Sequence, residues 1–397
     1  MVEIEFSVME GVDSDVDSLL PLLEAFEKQY HVHVNLTSIT WAKGWGEIAK
    51  FGIFGHGPDV SCIGTTWIGS LASMQALRPF TPQEVRALGG ENAFFESSWR
   101  AGFLPNDPSP WAVPWLGDVM VIYYWKDILE KAGIKDFEGA FASDPAIVET
   151  LEKVQKSGYT FPLGISTANL HDPVILHQTS HWVWSAGGDF INSNGDEVVF
   201  NTPTSLQGLR KYFSLQPFIS PESLTASFAA ELFIAGKAAI HFGGPYLGTL
   251  GRKRHPEWNE RLGIAPVPGV TFSGGSSLVI WQYTRYPAEC FGLVRFLASQ
   301  PTRIPISPHD QGLPTRRDAL NMPSAENDVF HRTFLQSMQT SRSFPSIRLW
   351  GSIEDKLVVE ISEIWAELFA HPDQDLDACL HKYLDPLAQR LNIILGN

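Results

Sequence analysis

The first sixty residues alternate between two periods of apolar positions. Apolar and polar residues alternate over 2–8, which predicts a β-strand. Over 16–30 the apolar residues recur at spacings of three and four, which predicts one amphipathic helix. Alternation returns over 32–36, and residues 58–63 form a short apolar run typical of a buried strand. A strand, a helix and further strands in this order predict an α/β fold.

The same alternation of elements continues to the end of the chain. Further strands are predicted at 111–125, 238–242 and 278–281, and further helices at 127–132, 147–154, 287–297, 353–368 and 380–391.

Three proline- and glycine-rich stretches interrupt this pattern, at 105–110, 266–275 and 301–314. Their composition disfavours helix interiors and central strands. We interpret them as three connections between two lobes, which the chain leaves and enters again.

Composition and charge exclude several classes of protein. Hydrophobic residues make up 44% of the 397 residues, and the longest apolar run, 119–125, is far shorter than the roughly 18 residues of a membrane-spanning helix. The formal net charge is −15, which argues against nucleic acid or anionic lipid as partners. No signal peptide precedes the first strand, so a cytosolic protein and one whose targeting segment was removed remain alternatives.

The three cysteines, Cys62, Cys290 and Cys379, are far apart and show no metal-binding spacing, so we expect buried thiols. His177 and His181 are four residues apart, with His171 nearby, but no further ligand stands at a matching distance. We expect neither a metal site nor a bound cofactor, because phosphate-binding and dinucleotide fingerprints are also absent from the sequence.

Tryptophan is unusually frequent, with 13 residues against nine tyrosines. Several tryptophans fall in stretches that we interpret as loops or turns: Trp41, Trp45, Trp67, Trp115, Trp182, Trp184 and Trp350. A loop tryptophan offers a rigid apolar face with an N–H donor, which suits the face of a pyranose ring. Each one alone is better explained by packing, and only the set favours a carbohydrate site.

Carboxylates could support the alternative of a carbohydrate-active enzyme. Glycoside hydrolysis needs an acid and a base or nucleophile about 5 to 10 Å apart. Glu10, Asp13 and Asp118 are the candidates, but their spacing is not diagnostic, and helix capping or hydroxyl binding explains each of them as well. We therefore assign no catalytic residue.

Eight segments in order along the chain resemble the extracellular solute-binding proteins of bacterial ABC importers, in the sugar-binding group that includes maltose-binding protein. They are LLEAFEKQYHVHV at 22–34, GPDV at 57–60, VPWLGDVMVIYYWKDILEKAG at 113–133, AGGDF at 186–190, FIAGKAAIHFGGPY at 233–246, PVPG at 266–269, GG at 274–275 and GLPTR at 312–316. Two departures are a missing family motif at 135–142 and Tyr246 where tryptophan is common.

The resemblance implies a two-lobed periplasmic-binding-protein fold of the type II kind, with three crossings and the ligand in the cleft between the lobes. We expect residues 1–110 and 267–305 in the first lobe, and 111–266 and 306–397 in the second. The implied protein is a monomeric, periplasmic or lipid-anchored receptor that closes on a sugar by hinge motion. It would deliver that small molecule to the membrane permease subunits of an ABC transporter.

Carried over by position, the family's ligand contacts fall on Thr66, Trp67, Asp118, Tyr246, Gly274, Gly275, Ser276 and Trp350, with Trp41, Trp45, Trp182 and Glu10 as further candidates. The same receptor fold could instead take a polyol, a glycerol phosphate or a peptide. An anionic ligand would need a cation, for which Lys43, Arg316 and Arg348 are the candidates in predicted loops.

Overall fold

The computed structural model describes most of the chain. The described residues are 2–10, 19–168, 174–298, 312–321 and 327–396, without the side chains of Ala42, Leu250 and Leu320. Asp13, His171 and residues 301–311, which the sequence analysis singled out, lie outside them.

The described strands belong to two separate sheets. They are β1 Val2–Glu10, β2 Val32–Thr40, β3 Val60–Gly64, β4 Val113–Val119, β5 Val121–Trp125, β6 Leu163–Gly164, β7 Ile240–Gly243, β8 Leu262–Pro266, β9 Ser273–Ile280 and β10 Leu313–Pro314. The strand order is β10-β4-β9-β3-β1-β2 in the first sheet and β6-β7-β5-β8 in the second.

The described α-helices are α1 Leu20–Tyr30, α2 Trp41–Phe54, α3 Ile68–Ser73, α4 Pro82–Ala87, α5 Glu96–Arg100, α6 Lys126–Lys131, α7 Phe137–Ala140, α8 Asp144–Lys156, α9 Val174–Ser185, α10 Pro203–Phe213, α11 Glu231–Ile234, α12 Leu250–Arg254, α13 Trp258–Arg261, α14 Pro287–Ala298, α15 Val329–Gln339, α16 Trp350–Ala370 and α17 Leu376–Leu395. The α/β prediction is confirmed.

None of the described helices combines the length and the apolar composition needed to cross a membrane.

The chain divides into two compact units. Unit 1 comprises Met1–Asp118, Ser273–Gln339 and Ser343–Gly351, and unit 2 comprises Val119–Phe272, Thr340–Arg342 and Ser352–Asn397.

These bounds differ from the expected ones at two of the three connections. Residues 105–110 lie within unit 1, where Trp111 N–H bonds to Gly102 O at 2.7 Å and Phe80 N–H bonds to Pro110 O at 2.8 Å. Residues 312–321 also belong to unit 1, because β10 pairs with β4. Proline and glycine disfavour regular structure in a surface loop as much as in a linker, so composition alone could not separate the two. Among the described residues of the three stretches, a crossing occurs only in 266–275, between Phe272 and Ser273.

The first sheet forms the centre of unit 1. β1 lies between β2 and β3 and is parallel to both. Its apolar residues Ile4, Phe6 and Val8 are buried, as the alternation predicted. Ser7 is buried as well, where its hydroxyl lies 2.7 Å from that of Ser61 on β3. The helices α1 and α14 pack on this sheet through the ring of Phe26, which lies 5.4 Å from that of Phe296.

The second sheet forms the centre of unit 2. β5 runs antiparallel to both β7 and β8, and β6 runs parallel to β7. The stretch 111–125, which the sequence analysis treated as one strand region, contains two strands, β4 and β5, separated at Met120. All five residues of β5 are buried, as expected of a strand covered on both faces.

The three cysteines are buried free thiols, as predicted. Burial raises the pKa of Cys290 to about 12 and that of Cys379 to about 11. These thiols are therefore protonated near neutral pH and act as small apolar side chains.

Two buried histidines make unit 2 sensitive to acid. Burial lowers the pKa of His177 to about 3 and that of His241 to about 4. His177 stacks on Phe272 at 3.8 Å, and His241 Nδ1–H donates to Gly164 O at 2.7 Å. In the unfolded chain both rings gain protons below about pH 6.5, whereas the folded state keeps them neutral. Unfolding is therefore increasingly favoured as the pH falls below that value.

We expect the free energy of unfolding of unit 2 to fall by about 2 kcal/mol per histidine between pH 7.5 and pH 5. Urea denaturation at a series of pH values measures this loss. The variant His241→Asn should reduce the pH dependence by one proton relative to the native chain. His371→Asn, at an exposed position of unit 2, should leave it unchanged, and equal slopes in all three proteins would contradict the assignment.

Candidate functional site

One edge of the unit 1 sheet collects the ends of several strands. The parallel strands β1, β2 and β3 end at Glu10, Thr40 and Gly64, with Glu10 paired with Thr40. β9 runs antiparallel to β3 and begins at the same edge, since Gly64 pairs with Ser276. In open α/β sheets, ligands bind outside the carboxyl ends of the strands. The loops and helix starts that follow these strands are therefore the first place to look for a site.

Three tryptophans form a cluster at this edge, which we call the tryptophan cluster: Trp41, Trp45 and Trp67. The ring of Trp67 lies 5.5 Å from that of Trp41 and 6.0 Å from that of Trp45. Trp41 is 45% exposed and Trp45 39% exposed, while Trp67 is half-buried beneath them. Large apolar side chains grouped at a surface are typical of a binding site.

The prediction that Trp41 and Trp45 lie in a turn is wrong, because they occupy the first turns of α2. The glycine that suggested a turn, Gly44, is buried and faces the side chains of Met9 and Trp67. A Cβ atom there would overlap with Met9 Cε. This glycine therefore allows α2 to pack closely against Met9 of β1 and against Trp67.

The segment Gly274–Ser276 lies at the same edge within β9. Gly275 has φ +120°, and a Cβ atom there would overlap with the carbonyl oxygen of Leu116 on β4. Glycine is thus required for this close approach of two strands. Because β4 is the sheet neighbour of β9, the contact also brings the end of β4, which includes the half-buried Asp118, to this edge.

Two further predicted residues, Thr66 and Glu10, lie at this edge. Thr66 is half-buried in the short 3-10 helix Thr65–Trp67 that directly follows β3. Glu10 is half-buried at the end of β1 and accepts a hydrogen bond from Ser38 Oγ at 2.8 Å. The edge therefore combines exposed aromatic faces with carboxylate and hydroxyl groups, which is the chemistry that binds a polyhydroxylated ring.

In unit 2, Tyr246 occupies a comparable position beyond the end of β7. It lies in the 3-10 turn Pro245–Gly248 and is half-buried. Tyr123 holds this turn, because its hydroxyl donates to Gly244 O at 2.8 Å and accepts from Gly248 N–H at 3.3 Å. The sequence analysis missed this role of Tyr123, since a tyrosine inside an apolar run carries no signal of it.

A family model, bacterial extracellular solute-binding protein, matches residues 13–303, more than half of the chain. The chain belongs to this family. The resemblance inferred from the sequence is thereby confirmed. The family is one of extracellular binding proteins.

Individual relatives are distant but cover most of the chain. A protein of Brucella abortus (strain 2308) named as a binding protein is 24% identical over 314 residues, which are 76% of this chain and 73% of that one. The maltodextrin-binding protein MdxE of Bacillus subtilis (strain 168) is 20% identical over 357 residues, 86% of this chain and 78% of its own. The sugar-binding protein MalE of Xanthomonas citri matches with a TM-score of 0.83 at 21% identity, over 100% of this chain and 98% of that one. This likeness shows the fold and confirms the predicted two-lobed α/β architecture of periplasmic binding proteins.

Trp182 does not reach the surface of this solute-binding protein. It lies within α9, is 2% exposed, and its backbone packs against Gly208 of α10. The interpretation of Trp182 and Trp184 as loop or turn residues is wrong, because both belong to a helix that is buried on most of its faces. Trp182 therefore stabilises the core of unit 2.

Trp350 is also placed as a packing residue. It is the first residue of α16, is fully buried, and stacks on Phe344 at 4.6 Å. Its indole N–H has no hydrogen-bond partner among the described residues. Of the predicted tryptophans, the tryptophan cluster alone offers faces to a ligand in the part of the chain that the structure describes.

The three candidate cations differ in availability. Arg316 is bound within unit 1, where it pairs with Asp318, donates to Leu88 O at 3.1 Å and lies over the ring of Phe94. Lys43 and Arg348 are exposed. Lys43 lies between Trp41 and Trp45 in the sequence of α2, and is the candidate cation nearest to the tryptophan cluster along the chain.

Proposed function

We propose that the protein is a receptor that binds a sugar or oligosaccharide outside the cytoplasm and delivers it to the permease subunits of an ABC importer, without chemical conversion. The observation that carries the sugar assignment is the tryptophan cluster at the carboxyl edge of the unit 1 sheet. It is supported by the names of the distant relatives, one a maltodextrin-binding protein and one a sugar-binding protein.

In this proposal the rings of Trp41 and Trp45 cover the apolar face of a pyranose. Asp118 and Glu10 accept hydrogen bonds from its hydroxyls, because ionised carboxylates are strong acceptors. Thr66 and Ser276 contribute to the same edge, and Tyr246 is proposed as a further ligand contact. Closure by hinge motion, a monomeric state and a lipid anchor are further parts of the proposal.

Calorimetry and intrinsic tryptophan fluorescence against a panel of ligands test the proposal. The panel contains mono-, di- and oligosaccharides, polyols and glycerol phosphates. We expect saturable binding of one saccharide class at one molecule per chain, with a raised melting temperature, because a ligand that binds only the folded state stabilises it. Binding of glycerol phosphate alone would instead favour an anionic solute next to Lys43.

The same samples test the enzyme alternative. Saccharides incubated with the protein and analysed by chromatography should be recovered unchanged. Formation of shorter products at a rate proportional to protein concentration would contradict the receptor proposal.

Asp118→Ala should weaken saccharide binding about tenfold, which corresponds to the loss of about one hydrogen bond to a charged acceptor. The melting temperature of the ligand-free protein should change little, since Asp118 is half-buried at the sheet edge. Asp373→Ala, which removes an exposed carboxylate between α16 and α17, is the matched control. Equal affinities of the Asp118 and Asp373 variants would remove Asp118 from the site.

A further inference from the structure

Unit 1 contains a cavity of about 490 Å³, bounded by α4, α5 and the proline-rich loop 105–110. Its apolar lining includes Phe80, Val85 and Phe103. Its volume lies within the range of small-molecule pockets, about 300 to 1,000 Å³.

The cavity lies away from the tryptophan cluster. Phe80, in its lining, follows Arg78, whose N–H bonds to the carbonyl oxygen of Ile280 at 2.8 Å. Ile280 is the last residue of β9, whereas the segment at the candidate sugar site begins that strand. The two ends of an eight-residue strand are about 23 Å apart. A ligand in this cavity would therefore not occupy the candidate sugar site.

The walls of the cavity are held in place by hydrogen bonds. Asp107 accepts from Ser109 N–H at 2.9 Å through one oxygen and from the indole N–H of Trp111 at 2.8 Å through the other. Phe80 N–H bonds to Pro110 O, which connects the loop to the segment 78–80 that is itself bonded to the end of β9. Because the loop is fixed before any ligand arrives, little conformational entropy is lost on binding.

The apolar wall ends in an aromatic pair. Phe103 is half-buried and meets Trp99 edge to face, with ring centroids 5.6 Å apart. Trp99 itself is 3% exposed, so Phe103 packs against a buried ring. The half-buried faces of Phe103 and Val85 are available for an apolar ligand body.

Two arginines at the rim give the cavity its charge preference. Arg86 and Arg100 line it, are exposed, and form no ion pair or side-chain hydrogen bond with any described residue. Glu91 is also exposed at the rim, while both oxygens of Asp107 are engaged within the loop. Two uncommitted guanidinium groups beside one free carboxylate favour an anion, in a chain whose net charge of −15 repels anions elsewhere.

We propose that this cavity is a second binding site, for an amphipathic organic anion with an apolar, ring-sized body and one carboxylate or sulfonate group. The body lies against Phe103 and Val85, and the anionic group is bound by Arg86 and Arg100. The site is independent of the proposed sugar receptor function.

The probe is 1-anilinonaphthalene-8-sulfonate, whose fluorescence rises in an apolar site, titrated into the full chain with calorimetry for stoichiometry. We expect saturable binding of one molecule per chain. N-phenyl-1-naphthylamine, which lacks the sulfonate, should bind about tenfold more weakly, since it cannot pair with the arginines. Phe54→Ala, which removes an exposed aromatic ring of α2 outside the cavity lining, should leave binding of the sulfonate unchanged.

Variants that remove a positive or a negative charge test whether the cavity binds an anion. Arg86→Gln and Arg100→Gln should each weaken binding about fivefold, and the double variant about twentyfold or more. Glu91→Gln should tighten binding about twofold, because it removes a like charge. Arg285→Gln, an exposed arginine of unit 1 outside the cavity, is the matched control and should have no effect.

Unchanged affinity in the double arginine variant, or non-saturable fluorescence, would overturn the proposal and indicate nonspecific adsorption. Weaker binding in Glu91→Gln would contradict an anionic ligand class. Melting curves of each variant, all at exposed positions, show whether the fold is intact.

Discussion

Trp41→Ala is expected to weaken saccharide binding about thirtyfold, and Trp41→Ala combined with Trp67→Ala more than a hundredfold. Trp41 exposes 45% of its surface, on the order of 100 Å² of ring that a sugar can cover. At about 25 cal/mol per Å², and with part of that area remaining exposed in the complex, the lost contact is worth about 2 kcal/mol. Trp67 adds to this loss because both exposed rings rest on it. Isothermal titration with the best saccharide of the panel measures the effect.

The same helix offers a matched control. Phe54 is 65% exposed at the opposite end of α2, so Phe54→Ala removes an exposed aromatic ring without touching the tryptophan cluster. Its affinity should equal that of the native chain. Native affinity in Trp41→Ala would exclude the start of α2 from the site and would remove the main support for a sugar ligand.

Trp281→Ala is expected to destabilise unit 1 by about 4 kcal/mol, the usual cost of truncating a large buried aromatic residue. Trp281 follows β9, is fully buried, and contacts Phe51 edge to face at 5.8 Å. Its indole N–H donates to Ser61 Oγ at 2.7 Å, and that hydroxyl lies 2.7 Å from Ser7 Oγ. The substitution therefore leaves both a cavity and a buried pair of hydroxyls without its donor. Urea denaturation followed by circular dichroism measures the loss.

Two conservative substitutions separate these causes. Trp281→Phe keeps most of the volume but loses the donor, so it should cost about 1 to 2 kcal/mol more than Trp115→Phe. Trp115 is 4% exposed in β4, and its indole N–H has no hydrogen-bond partner among the described residues. Equal losses in the two variants would show that the hydrogen bond to Ser61 contributes nothing.

The secondary structure was largely predictable because periodicity reports which face of an element meets the core. The alternation over 2–8 became β1, with Ile4 and Phe6 fully buried. The helical spacing over 353–368 became part of α16. The same reasoning failed for residues 41–46, where glycine indicated a turn. Gly44 is present for close packing against Met9 and Trp67, and such a contact between distant residues leaves no trace in local composition.

The candidate site was also predictable from the sequence only in part. The order of strands and helices placed Glu10, Thr66 and Trp67 after strand ends, and the parallel pairing of β1 with β2 and β3 brought those ends to one edge. Which tryptophans remain accessible depended on packing. Trp182 is buried within α9, whereas Trp41 is exposed although it also lies in a helix.

By itself, the sequence determined the α/β class, the order of elements and the family, because each depends on local periodicity or on short motifs in a fixed order. The tertiary structure decided where the chain passes between its two units and which aromatic rings reach the surface. It also placed Arg86 and Arg100 at one cavity. These properties arise from contacts between residues far apart in the chain, and the free energy of such contacts depends on packing and burial that no local pattern records.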